Sequence, residues 1–263
     1  MGFRRAAFAL SSGAAVQLLR FCRGELEIPE NVRNLCYADS VHVPQGNQRR
    51  VHSIADIVLV EMSTPVEVVF DGFILNNNRL KERFLGPVRE RYPHVAGAAV
   101  RWRTSLQKRH EEARAEAAEE ILAGLPTETE DDLFLRELVA GTRVRETKKD
   151  DIVADLDCLR TELPLPLGII LHNFNYMPDG RPISWPADFR ANCLAAAREL
   201  GVPIYDPAPL VAEFGAPAAL AGDMRHYSPE FRPIIADEIY RELILPMLSP
   251  RAAEPEQAVL ATA

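Results

Sequence analysis

Two short segments carry residues able to activate an oxygen nucleophile. The first is Gly222-Asp223-Met224-Arg225-His226-Tyr227-Ser228-Pro229. An aspartate three residues before a histidine, in a turn leading into a helix, can set its carboxylate on the imidazole Nδ1–H. That contact fixes the tautomer and leaves Nε2 free to take a proton from a hydroxyl. A solvated aspartate and a histidine capping the final helix is the plainer account, and D-x-x-H alone does not exclude it. The second segment is Ser11-Ser12-Gly13, which follows the apolar run Ala6-Ala7-Phe8-Ala9-Leu10. A serine at the carboxyl end of a parallel strand and the start of a helix has backbone N–H groups beside it that can stabilise an oxyanion. Serine is also a preferred N-cap, so a purely structural role stands beside the chemical one.

The elements that must position these residues alternate between short apolar runs and helical segments, the pattern of parallel strands joined by crossover helices. Ala6–Leu10 is read as the first strand, followed by a helix to about Cys22. Leu35–Val43 is a weaker second strand, and Ile57-Val58-Leu59-Val60 a third with the continuous apolar character of a strand covered on both faces. Leu167-Gly168-Ile169-Ile170-Leu171 is the fourth, ending at His172-Asn173. Val202-Pro203-Ile204-Tyr205 is the fifth, entered from a helix over Ala187–Leu200 that stops at Gly201. The final helix, from about Pro229 to Leu248, places Phe231, Ile234, Ile235, Ile239 and Leu243 at core spacing. Asp223 and His226 then follow the fifth strand and open that helix.

Residues 79–163 hold no convincing strand and are read as a helical insertion. Glu111–Leu122 is charge-rich and helical, Thr127-Glu128-Thr129-Glu130 is a capping sequence, and Ile152, Leu156, Leu159 and Leu163 share one face. The insertion serves as a lid, with Trp102 lining the cleft above Ser12, or as an extra packing layer or oligomer contact. Asn76-Asn77-Asn78 is a turn and helix cap. One domain over 1–248 with a loose tail over 249–263 accounts for the chain.

The 263 residues are 47% hydrophobic and 26% charged, enough for a packed core in a globular protein. A formal net charge of −8 argues against non-specific nucleic-acid binding and against an anionic membrane surface as partner. Cys22, Cys36, Cys158 and Cys193 form no C-x-x-C pair and lack zinc-finger spacing, so they read as reduced core residues in a cytoplasmic protein, with no metal. Arg4 and Arg5 ahead of an apolar run imitate a signal peptide, but Ser11-Ser12-Gly13 interrupts that run and an amphipathic stretch follows. No apolar stretch approaches the roughly 20 residues of a membrane span. A G-x-G-x-x-G or Walker phosphate loop is missing, which counts against a flavodoxin-like nucleotide binder.

First-strand serine together with D-x-x-H in the last loop resembles the SGNH (GDSL) hydrolase superfamily. The resemblance covers the strand–helix framework from Ala6 to Leu248, apart from the insertion. It implies an α/β fold, a three-layer α/β/α sandwich around a parallel, flavodoxin-like sheet of about five strands. It also implies esterase or acyl-transfer chemistry through an acyl-enzyme, without cofactor, on a small-molecule or carbohydrate acyl ester. By position Ser12 is the nucleophile, His226 the general base and Asp223 its orienting carboxylate. The superfamily's Gly-Asp-Ser is replaced here by Leu10-Ser11-Ser12, which keeps Ser11 as an alternative nucleophile. Gly46 fits the place of the glycine whose N–H helps form the oxyanion hole. The expected asparagine after the third strand is missing near Ser63-Thr64-Pro65, leaving Asn47, Thr64 and Asn173 as substitutes. His172 is placed for substrate contact, and Glu61 follows a buried strand at the same end.

Ser-Ser-Gly with Ala-Val-Gln-Leu-Leu, Asp56-Ile57-Val58-Leu59-Val60-Glu61 and His172-Asn173-Phe174 look closer to a divergent branch that includes acetyltransferase-like proteins of bacterial polysaccharide biosynthesis. The alternative function is a non-catalytic SGNH-like scaffold that binds a ligand or partner. A homo-oligomer is left open.

Overall fold

Leu167-Gly168-Ile169-Ile170-Leu171 alternates its side chains between two apolar environments, which requires a layer of helices on each face of its sheet. The computed structural model, which describes residues 11–37, 56–108, 110–172, 186–224 and 226–248, has that arrangement. The chain runs through α1 (Ser12–Arg23), α2 (Glu30–Cys36), β1 (Val58–Met62), β2 (Val66–Phe70) and β3 (Phe73–Leu75). It continues through α3 (Ala96–Lys108), α4 (Glu111–Gly124), α5 (Glu130–Gly141), β4 (Arg143–Glu146) and α6 (Lys149–Glu162). Then come β5 (Leu167–Leu171), α7 (Pro186–Leu200), β6 (Ile204–Tyr205), α8 (Ala208–Phe214) and α9 (Arg232–Ile239), with short helical pieces between.

β1, β5 and β6 form a parallel sheet in the order β1-β5-β6, with Val58 opposite Leu167 and Met62 opposite Leu171. Val60, Met62, Ile169 and Leu171 pack with Val16 and Leu19 of α1, Ile152 and Leu156 of α6, and Phe189 and Cys193 of α7. Leu59 and Ile170 point the other way, onto Val211, Phe231, Ile235 and Leu243. The period of two along each strand thus serves two helical layers, as a doubly covered parallel sheet demands. Gly168 lets the last helical segment approach closely. A Cβ there would sit 2.7 Å from Met247 Sδ and 3.0 Å from Leu59 Cδ2.

The fold is α/β as expected, but the parallel sheet has three strands among the described residues rather than about five. The expected first strand, Ala6–Leu10, lies outside those residues. The expected second strand is overturned at its start, because Leu35 and Cys36 end α2. Val32, Leu35 and Cys36 are buried at helical i, i+3, i+4 spacing behind Pro29, and that short apolar cluster imitates a strand onset.

The stretch between the third and fourth expected strands, with its strand-free insertion over 79–163, also needs correction. β2 pairs antiparallel with β3 through the turn Asp71-Gly72, both at positive φ (48° and 80°). This is the backbone that a two-residue hairpin selects Asp-Gly for. β4, inside the supposed insertion, pairs with β2, Val68 lying opposite Val144. Its sequence Arg-Val-Arg-Glu offers one apolar residue in four, and three of its positions are exposed, so its hydrophobic signal is faint. α6 belongs to the parallel-sheet core, not to the insertion. What remains is a helical unit, α3 to α5, packed on the antiparallel sheet. Its capping box at Thr129 and Asp132 starts α5.

Trp102 does not line a cleft. It is fully buried in the core of this helical unit, its ring centroid 4.9 Å from that of Phe84. In the final helix Phe231, Ile235 and Leu243 are buried as expected, whereas Ile234 is exposed.

Candidate functional site

The D-x-x-H segment folds as a closed loop. Leu220 and Tyr227 bridge antiparallel at its neck, and Ala221 N donates to His226 O at 2.7 Å. Asp223 holds His226 twice: Oδ1 accepts from the His226 backbone N at 3.1 Å, and Oδ2 lies 2.5 Å from imidazole Nδ1. The loop spends backbone strain on this, with Met224 at φ 55°, a left-handed conformation unusual for a side-chain-bearing residue. Nε2 makes no hydrogen bond among the described residues, and the imidazole is largely exposed. Ser228 anchors the exit, its Oγ donating to Ala218 O at 2.8 Å.

The serines sit in a different setting, and both are fully buried. Ser11 is the N-cap of α1, its Oγ accepting from Ala14 N at 3.1 Å and donating to Glu67 Oε1 at 2.6 Å. Ser12 Oγ donates to Asp155 Oδ2 at 2.8 Å. Neither hydroxyl is hydrogen-bonded to His226. Glu67, buried on β2, also accepts from Arg145 Nε at 3.0 Å. α1 has no acidic residue in its own first turn. Glu67 and Asp155, brought from β2 and α6, lie against its positive end, where a carboxylate is electrostatically favoured. Gly13 is required by that approach, since a Cβ would fall 2.4 Å from Glu67 Oε1.

The Asp155 carboxyl is pushed up to about 6, first by burial and also by the Glu67 charge, against the lowering hydrogen bond from Ser12. Its folded value thus lies above the ordinary 3.8, so the stability this group contributes is fully present below about pH 4 and is lost as pH rises through about 6. Asp155→Asn keeps an acceptor for Ser12 and removes the titration. We expect it to flatten the stability profile between pH 4 and 7 by about 1–2 kcal/mol, read from urea midpoints at several pH values. A variant with the wild-type slope would show that another group titrates there.

Sequence reasoning missed Asp155 and Glu67, though each left a signal. Asp155 falls inside the stripe Ile152, Leu156, Leu159 that α6 buries, and Glu67 interrupts the apolar run Val66–Phe70. A charge within an apolar stripe needs a buried partner.

Glu61 and His172 meet at the carboxyl ends of β1 and β5. His172 N donates to Met62 O at 2.9 Å, and imidazole Nδ1 lies 2.5 Å from Glu61 Oε1. The Thr64 hydroxyl is occupied locally, donating to Val66 O at 2.9 Å and accepting from Val66 N at 3.3 Å. Gly46, Asn47 and Asn173, the other oxyanion or substrate candidates, lie outside the described residues. Among the described residues no group of three or more His, Cys, Asp or Glu is arranged to hold a metal ion, and no helix is long and apolar enough to cross a membrane.

Comparison with known proteins adds a family. The "Vi polysaccharide biosynthesis protein TviD" of Salmonella typhi is 25% identical over 246 residues. That stretch is 90% of this chain but 28% of the relative, so the chain spans a minor part of that protein's length. No solved structure matches the chain. The family described as the TviD N-terminal domain matches residues 2–242, and the chain therefore belongs to the TviD N-terminal domain family.

Proposed function

We propose that this domain is a serine-dependent acyl-ester hydrolase or O-acyltransferase acting on acylated carbohydrate. The observation that carries the reading is the Asp223–His226 pair, with its carboxylate on Nδ1 and its Nε2 without a hydrogen-bond partner among the described residues. A relative named for polysaccharide biosynthesis supports the carbohydrate class, and the resemblance to SGNH hydrolases supports the chemistry. The four cysteines are free thiols, in keeping with action in the cytoplasm.

In this mechanism the Ser12 hydroxyl exchanges Asp155 for His226 Nε2 and opens to substrate. Its oxygen bonds to the acyl carbon as its proton passes to His226, and the backbone N–H groups at the start of α1 that Ser11 does not accept from are the donors for the developing oxyanion. His226 then protonates the departing oxygen. The acyl group leaves Ser12 for water or for a sugar hydroxyl. Asp223 keeps the imidazole in the tautomer that this sequence needs. The test is turnover of p-nitrophenyl acetate and of an acetylated sugar. Ser12→Ala should lose at least about 1,000-fold in rate while remaining folded. Full activity in Ser12→Ala alongside loss in Ser11→Ala would move the nucleophile by one residue.

A second reading is favoured by one observation: Ser12 is fully buried and its hydroxyl is committed to Asp155. On that reading the domain binds carbohydrate without altering it, and the serines serve only to cap and anchor α1. Saturable sugar binding with no ester turnover by the folded wild type would select it.

A further inference from the structure

The Asp223–His226 pair has a counterpart elsewhere in the molecule. Glu61 and His172 repeat its geometry on a rigid support, the carboxyl ends of two neighbouring parallel strands. Met62 and Leu171 are register partners, and His172 continues the ladder by donating to Met62 O. Nδ1 is therefore fixed twice over, by the backbone that places the ring and by Glu61 Oε1 at 2.5 Å. Both side chains are 35% exposed, and imidazole Nε2 has no hydrogen-bond partner among the described residues. In open parallel sheets ligands bind outside the carboxyl ends of the strands. An imidazole oriented at Nδ1 by a carboxylate presents at Nε2 a lone pair suited to a hydroxyl proton.

We propose that His172 is the catalytic base for the acceptor hydroxyl, and that Glu61 is its positioning residue. The inference rests on the acyl-transfer reading above and adds to it a separate base for the second half-reaction. The acceptor oxygen bonds to the acyl carbon as its proton moves to His172 Nε2. The bond from Ser12 Oγ to the acyl carbon breaks, and Ser12 Oγ is reprotonated from solvent as His172 releases its proton there. The acyl group is thereby moved from Ser12 to a carbohydrate or water oxygen with no net change in protons.

The experiment follows the lifetime of the acetyl-enzyme. Wild-type protein is mixed with p-nitrophenyl acetate, with and without methyl glucoside as acceptor, and Ser12 acetylation is read by intact and peptide mass spectrometry. His172→Gln should still form the acetyl-enzyme but discharge it at least about 100-fold more slowly, the usual contribution of a positioned base. The pH profile of discharge should differ between wild type and His172→Gln. Glu61→Gln should slow discharge by a smaller factor and alter the same profile, which a merely structural ion pair would not do. His172→Asn serves the same purpose if the glutamine variant misfolds. Wild-type discharge with an unaltered pH profile in a folded His172 variant would overturn this proposal and leave the acyl-transfer reading standing. Failure of wild type to acetylate at Ser12 would overturn both.

Discussion

Replacing His226 with alanine is expected to lower the rate of Ser12 acylation by about 100- to 10,000-fold without loss of fold. A serine hydroxyl is a poor nucleophile until a positioned base removes its proton, and an imidazole in that role typically contributes a factor of this size. The side chain is largely exposed and fills no core space, so its removal leaves the packing intact. Asp223→Asn should act in the same direction through tautomer and orientation, leaving the imidazole in place. It has a second effect, because Asp223 Oδ1 also accepts from the His226 backbone N, so the loop itself should loosen. Stopped-flow release of p-nitrophenol from wild type and both variants measures the two losses. Equal rates in all three proteins would remove His226 from the mechanism.

Trp102→Ala is the substitution expected to cost most in stability. The ring is wholly enclosed by the helical unit and packs against Phe84. Large-to-small changes of this kind lose transfer free energy and leave a cavity, together about 3–5 kcal/mol. Its indole Nε1 has no hydrogen-bond partner among the described residues. That buried donor costs free energy in the folded state, so its removal returns part of the loss. The expected net cost is therefore about 2–4 kcal/mol, or a fall in melting temperature of roughly 5–15 °C. Trp102→Phe, which discards the orphan N–H and keeps most of the ring, should cost far less. A Trp102→Ala protein that melts with the wild type would mean that the helical unit is not a packed core.

Periodicity made much of the scaffold legible. β5 was delimited residue for residue, because five apolar residues between Pro166 and His172 allow little else. α7 and its stop at Gly201, with φ 63°, followed from capping chemistry. The hairpin over β2 and β3 was equally available in Val-Val-Phe-Asp-Gly-Phe-Ile-Leu, but a search for parallel strands passes over an antiparallel ribbon. β4 was not legible, since an exposed edge strand needs no apolar alternation.

The candidate site divides along the same line. The Asp223–His226 contact is local, three residues apart, so its geometry was foreseeable from the turn that joins them. The partners of the serines are not local: Asp155 is 143 residues from Ser12, and Glu67 is 56 from Ser11. Only the packing of α6 and β2 around the start of α1 brings them there. A sequence reader can flag a carboxylate on an apolar stripe, but its partner is chosen by tertiary structure. The same holds for Glu61 and His172, joined across two strands 111 residues apart.

In the proposed reaction Ser12 is a nucleophile activated by His226, although in this structure its hydroxyl is held by Asp155. Labelling with a small fluorophosphonate, followed by peptide mapping, tests that role. A single phosphonylated residue, Ser12, is expected in folded wild-type protein, with labelling abolished in Ser12→Ala and slowed by orders of magnitude in His226→Ala. No label on a folded wild type, or a label at Ser12 formed equally fast without His226, would contradict it.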